Sequence, residues 1–117
     1  LFGDRVLMYV ADQLRHSIRS GDIAARIGGD EFLIFLEYSA QGADIRAIIQ
    51  RIYNSIKGTY EEFPVSISMG IATTECAGSS YKELFSAADK ALYAAKEAGR
   101  GRYCFYDDIR EKEEEQS

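Results

Sequence analysis

Residues that build covalent or metal frameworks are scarce in this sequence: it holds two cysteines, Cys76 and Cys104, and one histidine, His16. Two cysteines so far apart form no disulfide framework and have no metal-ligand spacing, so they read as buried or incidental thiols in a reducing compartment. A lone histidine on an arginine-rich helical stretch, with no serine or cysteine nucleophile motif beside it, argues against a triad and reads as solvated helix surface. No apolar run reaches membrane-spanning length and no signal-peptide pattern opens the chain. Positive charge is not in excess either; the net charge of −5 argues against binding a nucleic-acid polymer, while leaving room for a local basic pocket. What remains is 117 residues, 46% apolar and 28% charged, which suits one domain with a single core. The first residue is Leu1 and no cap precedes the first helix, so the chain reads as a piece of a longer polypeptide.

Along the chain, Leu7, Val10, Ala11, Leu14 and Ile18 trace an amphipathic helix that ends near Ser20-Gly21-Asp22. Strand character follows near 23–27 and again near 32–38. A second helix carries Ile45, Ile48, Ile49, Ile52, Tyr53 and Ile56 on one face and closes at Gly58. Val65, Ile67, Met69 and Ile71 alternate with Ser66, Ser68 and Gly70 as a strand. Ser79 or Ser80 caps a third helix through Leu84, Phe85, Ala88, Leu92 and Ala95, with Gly99 just beyond it. Tyr103–Tyr106 is a last short strand, and 107–117 reads as a solvated, charged tail. The order α-β-β-α-β-α-β predicts an α+β domain over 1–106, with helices on one side of a sheet. A ferredoxin-type plan fits the middle but needs one more strand before the first helix.

Chemistry concentrates at Gly28-Gly29-Asp30-Glu31-Phe32, between the first two strands. A glycine pair lets backbone approach a phosphate, and two carboxylates supply the oxygen ligands a hard divalent cation prefers. Gly-Gly-Asp is also ordinary turn chemistry. Adjacent strand residues face opposite ways, so one carboxylate is expected in the pocket. Lys96 and Arg100 lie four apart at the third helix's end, able to reach a triphosphate together or simply to complement the helix dipole. Arg19 and Asp22 flank a turn and can close as a salt bridge or grip a guanine edge or phosphate. Arg51, on the polar side of the second helix, reads by itself as a surface residue.

Arg26-Ile27-Gly28-Gly29-Asp30-Glu31-Phe32 resembles the signature of GGDEF domains, the diguanylate cyclases. Gly3-Asp4-Arg5-Val6-Leu7, Val65–Ala72 and Ala88–Arg100 resemble three further family motifs in the right order, so the similarity runs from Leu1 to about Tyr106. The resemblance implies a nucleotidyl cyclase palm, with a mixed, mainly antiparallel sheet. It implies condensation of two GTP into cyclic di-GMP with release of two pyrophosphates, by a homodimer in which each domain holds one GTP. In that reading Asp30 and Glu31 are catalytic and bind Mg²⁺ or Mn²⁺. Asp4 reads guanine, the backbone of Gly28 and Gly29 lies near the phosphates, and Lys96 and Arg100 neutralise the terminal phosphates. Arg19, Asp22 and Arg51 match a product-inhibition site for cyclic di-GMP, with one extra residue in the loop before Arg51. An upstream sensory domain and a cytoplasmic location, with any membrane anchor upstream, are further implications.

The sequence also departs from the family. The first strand, with a second metal-binding aspartate, and an asparagine that helps read guanine do not lie in it. Because that strand is central in a palm sheet, its absence predicts a gap with unpaired backbone groups, a weak metal site and inefficient catalysis by this chain. A strand borrowed from elsewhere or exchanged with another copy would repair the gap. A catalytically incompetent module that binds cyclic di-GMP or GTP as a sensor, or serves only for interaction, is the other reading. Gly101 stands where an asparagine commonly follows Gly-Arg.

Overall fold

The computed structural model describes residues 8, 11–12, 14–16, 22–28, 30–36, 46–47, 49–51, 53–54, 67–74 and 80–110. Strands β1 (Ile23–Gly28) and β2 (Glu31–Leu36) form the expected antiparallel hairpin, with its register broken by a bulge between Arg26 and Gly28. β3 (Ser68–Thr73) and β4 (Tyr103–Phe105) complete a sheet of order β1-β2-β3-β4. The fold is α+β with a mixed sheet. Its balance differs from a mainly antiparallel one, because β2–β3 and β3–β4 are both parallel.

The predicted gap is not there. β2 pairs directly with β3 along six residues, from Glu31 opposite Ser68 to Leu36 opposite Thr73. Both strands carry apolar residues toward both faces, so both are buried and their backbone groups need partners. Direct parallel pairing supplies those partners within the chain.

Helices cover both faces of the sheet rather than one. Phe32, Ile34 and Leu36 of β2 and Met69 and Ile71 of β3 pack with Ala11, Leu14, Ile49 and Tyr53 from the first two helical segments. On the opposite face Leu33 and Ala72 pack with Leu84, Ala87, Ala88 and Leu92 of the long helix Tyr81–Glu97. A strand such as β2, apolar at successive positions, buries itself only between two layers. Side chains like Phe32 and Ile34, fully buried, each contribute roughly 2 kcal/mol of transfer free energy.

The long helix starts at Ser80, whose Oγ accepts from Glu83 N at 3.2 Å and donates to the Glu83 carboxylate at 2.8 Å, a reciprocal cap. Its buried stripe is rich in alanine: Ala87, Ala88, Ala91 and Ala95. Gly70 of β3 lies so close beneath it that an added Cβ would collide with the Ala88 carbonyl oxygen and sit 2.5 Å from Leu92 N. Small residues on both partners bring helix and sheet together.

The charged segment after Tyr106 does not begin as a solvated tail. Residues 106–110 are helical, and Arg46 makes a bidentate pair with Asp108 at 2.7 and 3.0 Å while its guanidinium stacks 4.5 Å above the Phe105 ring. The pairing partner sits 62 residues away, which a local reading of charge density misses. Among the described residues no helix is long and apolar enough to cross a membrane.

Candidate active site

β2, β3 and β4 run parallel, so they begin at one edge of the sheet. The helix joining β3 to β4 must return across the sheet, which brings its C-terminal end to the same edge. The acidic turn before β2 and the basic end of the long helix are thereby juxtaposed.

Glu31, the first residue of β2, points to the face covered by the long helix and meets Lys96: Nζ lies 2.6 Å from Oε1. Both side chains are half-buried, Lys96 at 32% and Glu31 at 22% exposure, so the pair is less screened than a surface one. Asp30 occupies the turn and its carbonyl accepts a hydrogen bond from Ser68 N at 3.0 Å. At Gly28 an added Cβ would make only ordinary contact, 3.7 Å from Glu31 Oε2, so packing within the chain does not demand glycine there.

Beyond the helix the chain turns through three residues with positive φ: Gly99 (121°), Arg100 (62°) and Gly101 (58°). Gly99 N donates to Lys96 O at 3.2 Å and Arg100 N to Ala95 O at 3.0 Å, the double closure of a Schellman motif. Gly101 N then donates to Ser68 Oγ at 3.2 Å. The departure from asparagine at Gly101 is conservative in backbone terms, since asparagine and glycine are the residues that most readily enter this region. Arg100, by contrast, is held where a side chain costs energy, with that side chain exposed.

Tyr53 supports the start of β3. Its buried hydroxyl donates to Ile67 O at 3.1 Å and its ring meets Tyr103 edge-on at 5.2 Å. Desolvation raises its pKa, against a partly opposing attraction from Arg102.

Of the residues singled out by sequence, the structure joins Glu31 to Lys96 and links the Asp30 and Arg100 turns through Ser68. Asp22 stands just before β1, half-buried, and Arg51 is exposed on the second helical segment. Asp4, Arg19 and Gly29 lie outside the described residues. His16 is exposed, with Nδ1 2.7 Å from the Asp12 carbonyl, as a helix-surface residue should be. Ser68 is the residue that alternation alone passed over. Ser68, Gly70 and Ala72 are small side chains on one face of β3, a pattern that marks close helix approach. Among the described residues no three of His, Cys, Asp and Glu converge as a metal site. Asp30 and Glu31 are nonetheless hard oxygen donors of the kind Mg²⁺ takes, although Glu31 already neutralises Lys96.

A sequence model of the diguanylate cyclase GGDEF domain matches residues 1–102. The chain is 37% identical over 109 residues to the bifunctional diguanylate cyclase/cyclic di-GMP phosphodiesterase MucR of Pseudomonas aeruginosa, covering 90% of this chain and 16% of MucR. It is also 37% identical over 103 residues to the diguanylate cyclase DgcS of Shewanella oneidensis, covering 86% of this chain and 34% of DgcS. The chain thus spans a minor part of these relatives' own length. A crystal structure of an EAL/GGDEF domain protein from M. capsulatus superposes with a TM-score of 0.57 at 30% identity, covering 90% of this chain and 70% of that one.

Proposed function

Because the chain belongs to the GGDEF family of diguanylate cyclase domains, we propose that its acidic turn and basic helix end bind one GTP for condensation into cyclic di-GMP. The observation that carries this reading is the 2.6 Å approach of Lys96 to Glu31, which unites the two motifs at one sheet edge. Lys96 and Arg100 neutralise the β- and γ-phosphates, with arginine suited to a bidentate grip. Gly28 and Gly29, lacking side chains, leave the phosphates room, and Asp4 accepts from the guanine N1 and N2 groups. Asp30 and Glu31 would hold Mg²⁺ or Mn²⁺, which when bound stabilises charge developing at the α-phosphate. The triphosphate supplies the anion that draws Lys96 off Glu31 and frees that carboxylate.

Two copies face each other, each 3′-hydroxyl attacking the other nucleotide's α-phosphate. A P–O bond to the 3′-oxygen forms, the bond to the β-phosphate bridging oxygen breaks, and the hydroxyl proton passes to Glu31 or water. Two such steps yield one cyclic di-GMP and two pyrophosphates. Holding both nucleotides in line provides much of the rate. Arg19, Asp22 and Arg51 form a separate product-inhibition site. In the longer parent protein an upstream sensory domain sets the activity of this cytoplasmic domain.

A sensor role without catalysis is the second reading, favoured by Glu31 being already committed to an ammonium group. To separate the two, GTP and Mg²⁺ are incubated with this chain and with an upstream-extended form. Cyclic di-GMP from the extended form that vanishes in Asp30→Ala supports catalysis. An extended form that stays silent yet binds cyclic di-GMP, with binding lost in Arg19→Ala, establishes the sensor instead.

A further inference from the structure

Ser68 is fully buried, yet its hydroxyl has no part in the apolar core. It sits between the acidic and basic halves of the edge, in hydrogen-bond contact with both turns. Its N–H donates to Asp30 O at 3.0 Å, and its Oγ accepts from Gly101 N at 3.2 Å. The next residue continues the seam, with Met69 N donating to Arg102 O at 3.0 Å. One residue thus ties the carboxylate turn to the turn that carries Arg100. The first tie is ordinary sheet hydrogen bonding, which any residue at this position makes. The second belongs to the serine side chain alone.

We propose that the Ser68 hydroxyl is a positioning group that sets Arg100 against the terminal phosphates of GTP relative to the Asp30 turn. The proposal rests on the GTP reading above. Gly101 follows Arg100 directly, so fixing the Gly101 amide fixes the carboxyl end of the Arg100 peptide unit. The Schellman closure at Ala95 and Lys96 fixes the other end. Between these two clamps Arg100 keeps its left-handed conformation and its exposed side chain a defined origin. Released at Gly101, the turn relaxes, and what suffers is recognition of the phosphates that Arg100 reaches, not of the base.

The test compares Ser68→Ala and Ser68→Thr with the unaltered chain, by titrating GTP and GDP and by following amide hydrogen exchange. Ser68→Ala removes one oxygen and adds nothing, and Ser68→Thr retains the hydroxyl on a residue that suits a strand. In Ser68→Ala the preference for GTP over GDP should fall about fivefold, the equivalent of one neutral hydrogen bond, with exchange faster at Arg100 and Gly101 and unchanged in β2. Ser68→Thr should keep the preference. An unaltered preference and unaltered exchange in Ser68→Ala overturn the proposal while leaving the GTP reading intact. Global unfolding of Ser68→Ala beside a native Ser68→Thr also overturns it, because the hydroxyl would then hold the whole fold. If neither the unaltered chain nor its upstream-extended form binds either nucleotide, the GTP reading itself falls.

Discussion

Arg100 offers a test in which stability and binding should move in opposite directions. Its φ of 62° lies in the left-handed region, flanked by glycines at 121° and 58°. A residue with a Cβ held there costs about 1 kcal/mol or somewhat more, and glycine does not bear that cost. The bonds made by the Arg100 backbone, its N–H to Ala95 O and its carbonyl oxygen accepting from Arg102 Nε, survive a change of the Arg100 side chain. The exposed side chain takes little packing with it. Arg100→Ala retains the strain, whereas Arg100→Gly removes it but gains unfolded-state freedom that offsets about 0.5–1 kcal/mol. The net gain of Gly over Ala is therefore expected at a few tenths up to about 1 kcal/mol, an increase of up to about 4 °C in Tm. Both variants lose the same cation. If Arg100 meets a phosphate, both should bind GTP about 10–100-fold more weakly, as expected for a charge-assisted hydrogen bond. Thermal unfolding and GTP titration of the two variants, side by side, give both answers. A Gly variant less stable than the Ala variant refutes the strain argument, and GTP affinity unchanged in both refutes the phosphate role.

Gly70→Ala should destabilise the domain by about 3 kcal/mol in urea unfolding, since the added methyl meets helix backbone at Ala88 and Leu92 that cannot step aside. Arg46→Lys should not replace arginine: an ammonium keeps the charge but loses the bidentate grip on Asp108, so amide exchange at 106–110 should rise with a global cost of about 1 kcal/mol or less for this half-exposed pair. Tyr53 provides a pH dependence. Its folded pKa is raised above 10.0, so its contribution is fully present below pH 10 and is lost as pH climbs through the folded value. Tyr53→Phe should therefore flatten the fall of stability above pH 10, and a slope equal to that of the unaltered chain would contradict the buried, desolvated hydroxyl.

The hairpin and the long helix were legible because their signals are local. Gly28 and Asp30 bracket a turn between two short apolar runs, and Ser80 and Gly99 mark the ends of one helical period. What stayed hidden depends on partners distant in sequence. Nothing near Lys96 announces Glu31, and nothing near Asp108 announces Arg46. Direct β2–β3 pairing is a choice between two sheet layouts that the same apolar strands permit, and it is made by the need to satisfy their backbone groups. The second helical layer was readable in principle: Phe32 to Leu36 is apolar toward both faces, which a sheet covered on one side does not tolerate.

The strained turn and the small-residue seam are two aspects of one arrangement. A left-handed arginine persists only where its surroundings over-determine it. Here three hydrogen bonds close around it, from Gly99 N to Lys96 O, from Arg100 N to Ala95 O, and from Gly101 N to Ser68 Oγ. At about 1 kcal/mol each they exceed the cost of the conformation, and losing any one brings the turn closer to balance without melting it. The third bond forms where β3 presents small residues at Gly70 and Ala72 beneath the long helix, so that the helix end descends to the strand. A bulky residue at Gly70 would lift the helix and pull Gly101 from Ser68. The packing of an inner strand of the sheet thus reaches, through Ser68 and Gly101, the turn that carries a surface arginine.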